Sequence, residues 1–100
     1  MPEDADGTFY DRADAHIHLS NDQLAEADGR GKVSASMMYG TARFNAWVSA
    51  CGFESEEQMA AQRAETIKYF CEQYRRMLEE NLDDYIENFD KYLRPKREDA

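Results

Sequence analysis

The chain has little of what ends or staples a fold. Its two prolines, Pro2 and Pro95, stand at its two ends, and five glycines are spread over 100 residues. Helices can therefore run long, since Pro and Gly are the residues that most readily stop them. Cysteine is scarce too. Cys51 and Cys71 form no Cys-x-x-Cys pair and have no histidine at zinc-finger spacing, which leaves reduced thiols as the plain reading and excludes a disulfide-built mini-scaffold. Basic charge is outnumbered, 12 Lys and Arg against 21 Asp and Glu, for a formal net charge of −9. No basic face for a phosphate backbone can be drawn, so direct nucleic-acid binding is not expected, and an acidic surface repels anionic lipid. The apolar runs fall far short of the roughly 20 residues a membrane-spanning helix needs. The opening Met1-Pro2-Glu3-Asp4-Ala5-Asp6-Gly7 is acidic where a secretory signal is basic and then apolar, so a cytoplasmic protein is expected. Also missing are a glycine-rich phosphate loop, a Ser-His-Asp arrangement and a metalloprotease histidine pair. No enzyme is indicated, and no catalytic residue or cofactor is assigned.

What the sequence does contain is helix, with 42% hydrophobic and 33% charged residues suited to one globular domain. Thr8, with Asp11 three positions on, reads as a helix start. A first helix follows to about Asp28, with Phe9 or Tyr10, Ala13, Ile17, Leu24 and Ala27 as its apolar stripe. The stripe weakens at Ser20 and Asn21, where a kink is open, and Gly29-Arg30-Gly31 ends the helix. The second helix, Lys32 to Cys51, is apolar nearly all round. Val33, Met37, Tyr39, Phe44, Trp47 and Val48 are spread over the wheel with four alanines, the pattern of a helix buried on most sides. Ser36, Gly40, Ala42 and Ala46 suit close approach of a neighbour. Ser55 with Gln58 is a capping box, reinforced by Glu56 and Glu57, and from there apolar positions recur at steps of three and four. The spacing predicts one long helix, Ser55 to about Leu93, near 57 Å long against about 30 Å for the second.

That overhang predicts a partner. The stripe formed by Leu78, Leu82, Tyr85, Ile86, Phe89, Tyr92 and Leu93 is more apolar surface than a monomer usually leaves open. The fold class expected is all-α: a three-helix bundle with a long C-terminal helix, completed by homo-oligomerisation through that stripe, a dimer being the simplest form. The alternative is a break at Asn81 to Asp84 that lets the C-terminal segment fold back. The domain reading is an acidic disordered tail at residues 1–7, one helical domain at 8–94 and a flexible tail at 95–100. The function read from this is a non-enzymatic, homo-oligomeric helical interaction protein.

A second reading is a metal- or small-ligand-binding protein. Asp14, His18 and Asp22 are spaced to share a helix face and are the candidate metal ligands, against which stands an ordinary solvated face. Arg43 and Asn45 interrupt an apolar helix. They are read either as the lining of a small pocket with Tyr39, Tyr69 or Glu72, or as buried polar groups fixing register across an oligomer interface. Glu79, Asp83, Glu87 and Asp90 make an acidic stripe that a divalent cation or a basic protein partner would fit, with a hydrated outer face as the simpler account. Glu72 with Arg75 or Arg76, and Glu87 with Lys91, are spaced for ion pairs.

Phe9-Tyr10 with Ala13-Asp14, Gly31-Lys32-Val33-Ser34-Ala35 through Met38-Tyr39 to Ala42-Arg43-Phe44-Asn45-Ala46, and Glu80-Asn81-Leu82-Asp83-Asp84-Tyr85-Ile86 together resemble the bacterial family catalogued as domain of unknown function 3144. His16 and His18 fall outside its pattern. The resemblance implies a small proteobacterial-type cytoplasmic protein and carries no activity or binding residue with it.

Overall fold

In the computed structural model, residues 6 to 94 are described; of the tails expected at 1–7 and 95–100, residues 1–5 and 95–100 lie outside them. Among the described residues all regular structure is helical: α1 (Phe9–Leu24), α2 (Arg30–Ala50), α3 (Glu56–Ala61), α4 (Arg63–Glu87) and α5 (Phe89–Leu93). The chain divides into two compact units, the first ending at Gln62 and the second beginning at Arg63.

In the first unit the start of α1 is secured by Asp6, which the sequence placed in a tail. Its carboxylate accepts the Thr8 backbone N–H at 2.9 Å and the Thr8 hydroxyl at 3.1 Å, and pairs with Arg12 at 3.3 Å. The expected cap from the Thr8 side chain is not made, because that hydroxyl turns to Asp6 and receives the Arg12 guanidinium at 2.6 Å. α1 then runs through Ser20 and Asn21 without a break and stops at Leu24, short of the expected Asp28. The turn tightens there, with Ala25 and Glu26 donating back three residues, to Asp22 and Gln23. Gly29 is not the end of α1 but the residue before α2. Its φ of 137° and ψ of 155° lie where only glycine sits without strain, and α2 begins at once with Arg30.

α1 and α2, joined by residues 25–29, pack against each other. Phe9, Ala13 and Ser20 are half-buried on α1, and the Ser20 hydroxyl donates to the Met37 sulfur at 3.3 Å, so the polar position that weakened the stripe lies on the packing side. Val33 of α2 is buried, the one such residue among those described. α3 starts as its capping box predicts: the Ser55 hydroxyl accepts the Gln58 N–H at 3.1 Å, and the Gln58 side chain returns to the Glu54 N–H at 2.7 Å.

The long helix expected from Ser55 to Leu93 is interrupted twice, at neither end of the segment thought fragile. Gln62 leaves helical geometry, φ −101° and ψ 7°, and its N–H bonds the Met59 carbonyl three residues back, a single tight turn between α3 and α4. α4 passes unbroken through Asn81 to Asp84. Asn81 bonds the Met77 carbonyl at 2.7 Å, so its amide is satisfied within the helix. The second interruption is Asn88, φ −113° and ψ 27°, whose amide competes for the Asp84 carbonyl at 3.0 Å and also reaches the Asp84 carboxylate at 2.9 Å. α5 is tied back by the Tyr92 hydroxyl, which donates to Asp84 at 3.2 Å, and by the Tyr85 and Tyr92 rings, edge to face at 5.0 Å.

Candidate interaction surface

The helix expected to be the most buried is largely open. Within its unit α2 is packed by α1 on one side, and its apolar residues are spread round the whole wheel, so a single neighbour covers few of them. Tyr39 stays 69% exposed and Phe44 and Trp47 61% each. These three, with Gly40, Ala42, Arg43 and Ala46, line a shallow open depression along α2. The Phe44 and Trp47 rings stack at an angle, 5.6 Å between centroids, and form one wall. A side-chain carbon placed on Gly40 would meet nothing within 4 Å. The sequence marked Arg43 and Asn45 as buried polar groups; Arg43 is exposed and Asn45 half-buried, because within its own unit the described residues give α2 no second helix that would enclose them. Aromatic exposure on this helix was not visible in its composition, since an all-round apolar pattern reads as core.

In the second unit no residue of α4 or α5 is buried. Leu78, Leu82, Tyr85, Ile86, Phe89, Tyr92 and Leu93 are all exposed, with Ile86 at 72%. Along α4 the stripe extends back through Tyr74 and Ile67, also exposed. The rest of that helix surface is acidic: from Met77 to the end of α4 the chain carries Glu79, Glu80, Asp83, Asp84 and Glu87 and no Lys or Arg. Arg75 pairs forward with Glu79 at 3.5 Å rather than back with Glu72. Glu87 and Lys91 make no ion pair, as the Asn88 turn separates their helices.

Asp14, His18 and Asp22 are exposed on α1 and do not form a metal site; among the described residues no three His, Cys, Asp or Glu side chains are grouped to hold an ion. The reason is geometric. Eight residues of helix separate Asp14 from Asp22 by about 12 Å along the axis, too far for one ion with ligands near 2 Å to join them. Cys51 and Cys71 are free and exposed.

Asp6 and Tyr92 have displaced proton affinities. The Thr8 backbone N–H and then its hydroxyl, helped by the Arg12 charge, hold the Asp6 carboxyl below its ordinary value near 3.8. The hydrogen bond to Asp84, and then the Asp84 charge itself, raise Tyr92 above its ordinary 10. Both are helix-end fastenings rather than acid–base machinery. Among the described residues no helix is long and apolar enough to cross a membrane.

The described residues define a class: a small helical protein that presents open apolar helix faces and, among those residues, no grouped metal ligands. The chain belongs to the family described as protein of unknown function (DUF3144), whose model matches residues 9–86. It is also similar to the protein NB7890A from Shewanella sp., solved by NMR, with 41% sequence identity and a TM-score of 0.76 over 95% of this chain and 100% of that one. No curated protein matches it.

Proposed function

We propose that this protein acts as a non-enzymatic, homo-oligomeric helical interaction protein, a dimer in its simplest form, joined through α2 and the stripe from Leu78 to Leu93. The observation that carries this reading is the inversion of inside and outside. Large apolar side chains are exposed on both units, and Val33 alone is buried among the described residues. Soluble monomers leave patches of about 300–600 Å² at most, and a second copy supplies the missing cover without a second gene product. Two free, exposed thiols fit a reducing, cytoplasmic setting.

Light scattering at micromolar concentration tests the proposal. The wild-type chain, 11.6 kDa by sequence, gives a multiple of that mass, and Leu82→Asp with Phe89→Asp gives the single-chain mass while helical circular dichroism persists. A wild-type chain that stays single, with the variant equally stable, refutes it.

A further inference from the structure

The charges of α4 change sign along its length. From Arg63 to Arg76 there are four bases and two acids, Arg63, Lys68, Arg75 and Arg76 against Glu65 and Glu72, and from Met77 to Glu87 five acids and no base. Helical spacing sorts them by face. Ala64, Ile67, Cys71, Tyr74, Leu78 and Leu82 form one side of the helix; Lys68, Glu72, Arg75 and Glu79 run along one edge of it, and Arg63 and Asp84 lie on the other. Asp83 and Glu87 fall on the far side and take no part. Ile67, Tyr74, Leu78 and Leu82 are exposed, and among the described residues neither Arg63 nor Lys68 has an ion pair.

The edge charges share a centre. Arg63 and Asp84, Lys68 and Glu79, and Glu72 and Arg75 stand symmetrically about one point of the helix, between Gln73 and Tyr74, an acid answering a base each time. We infer that α4 of one copy packs antiparallel on α4 of a second copy about a two-fold axis at that point. In an antiparallel pair each edge runs beside the same edge of the other copy in reverse order. Arg63 then meets the partner's Asp84, Lys68 the partner's Glu79 and Glu72 the partner's Arg75, each contact made twice. A parallel pair sets opposite edges together and brings Arg63 beside the partner's Lys68, like beside like.

Apolar contacts follow the same axis. To within a residue it sets Ile67 against the partner's Leu78, Ala64 against the partner's Leu82 and Cys71 against the partner's Tyr74, so that twice a small side chain receives a large one. Bonds within the chain compete weakly. Arg75 and Glu79 pair at 3.5 Å with side chains 78% and 59% exposed, a contact worth little in water, and the Asp84 carboxylate, held by Asn88 and Tyr92, has lone pairs to spare for Arg63.

This inference rests on the homo-oligomer reading and concerns its α4 side, and the orientation of the pair separates the two. Ala64→Cys and Leu82→Cys are made singly in a Cys51→Ser, Cys71→Ser background, mixed and mildly oxidised, and mass spectrometry tells the mixed disulfide from the same-site ones. The antiparallel pair gives the mixed disulfide. Same-site disulfides, or no disulfide while wild-type protein sediments as a dimer, overturn it and leave the homo-oligomer reading standing. Charge reversal checks the axis. Lys68→Glu and Glu79→Lys each weaken dimerisation about tenfold in analytical ultracentrifugation, with circular dichroism confirming the fold. The double variant recovers it, since residues about 16 Å apart along one helix restore each other only across the pair. Single variants that dimerise like wild type, or a double variant no tighter than either, overturn the axis between Gln73 and Tyr74. Wild-type protein that is a single chain at every concentration overturns both readings.

Discussion

α2 and α4 are similar in length, 21 and 25 residues, and both are left uncovered, but for opposite reasons. On α2 the apolar side chains are spread round the helix, so that no single neighbour suffices; α1 takes the side around Val33 and leaves Tyr39, Phe44 and Trp47 in water. On α4 they are gathered on one stripe with acids alongside, and one further neighbour would be enough. A helix of the first kind asks for company on several sides and one of the second kind for company on one. The two helices therefore differ in how much cover each requires, not only in how much each has.

The largest effect on this comparison comes from removing the single well-buried anchor. Val33→Ala strips two methyl groups from the α1–α2 contact and lowers stability by about 2 kcal/mol in urea unfolding, the transfer cost plus a small cavity. No single aliphatic truncation on the exposed stripe of α4 costs as much in a dissociated chain, since those side chains are already wet. Next in size is the α3 cap. Ser55→Ala removes the acceptor for the Gln58 N–H and costs about 1 kcal/mol, seen as faster amide exchange at Gln58.

The smallest effects lie at the helix-end fastenings and are set by pH. Tyr92 has a raised affinity for its proton in the folded chain, so its contribution is complete below the unfolded value near 10 and is lost as pH rises through the raised value. α5 amides therefore exchange faster above that pH, beyond the normal base catalysis, and Tyr92→Phe removes the step. Asp6 has the opposite sign. Its contribution is complete above the ordinary carboxylate value and is lost as pH falls through its depressed one, loosening the first turn of α1.

Much of this was legible in the sequence. Ser55 and Gln58 announced a helix start that is made as written, and steps of three and four placed Leu78, Leu82 and Tyr85 on one stripe. The two interruptions were not legible, because a single tight turn at Gln62 shifts the apolar phase too little to disturb a periodicity, and Asn88 departs through a side-chain bond to Asp84 that composition does not reveal. The Asp6 fastening escaped for a related reason: an acidic run at a chain end reads as tail until its carboxylate is seen to hold Thr8 and Arg12. The openness of α2 escaped because hydrophobicity tells which side chains seek cover but not which neighbour provides it.

Trp47, the one tryptophan of the chain and 61% exposed, reports on that cover directly. Its fluorescence emission, followed from high micromolar to nanomolar concentration, moves from a blue-shifted, quencher-protected state to a red-shifted, quencher-accessible one as the second copy leaves. Emission that is red-shifted and accessible at every concentration would contradict the account.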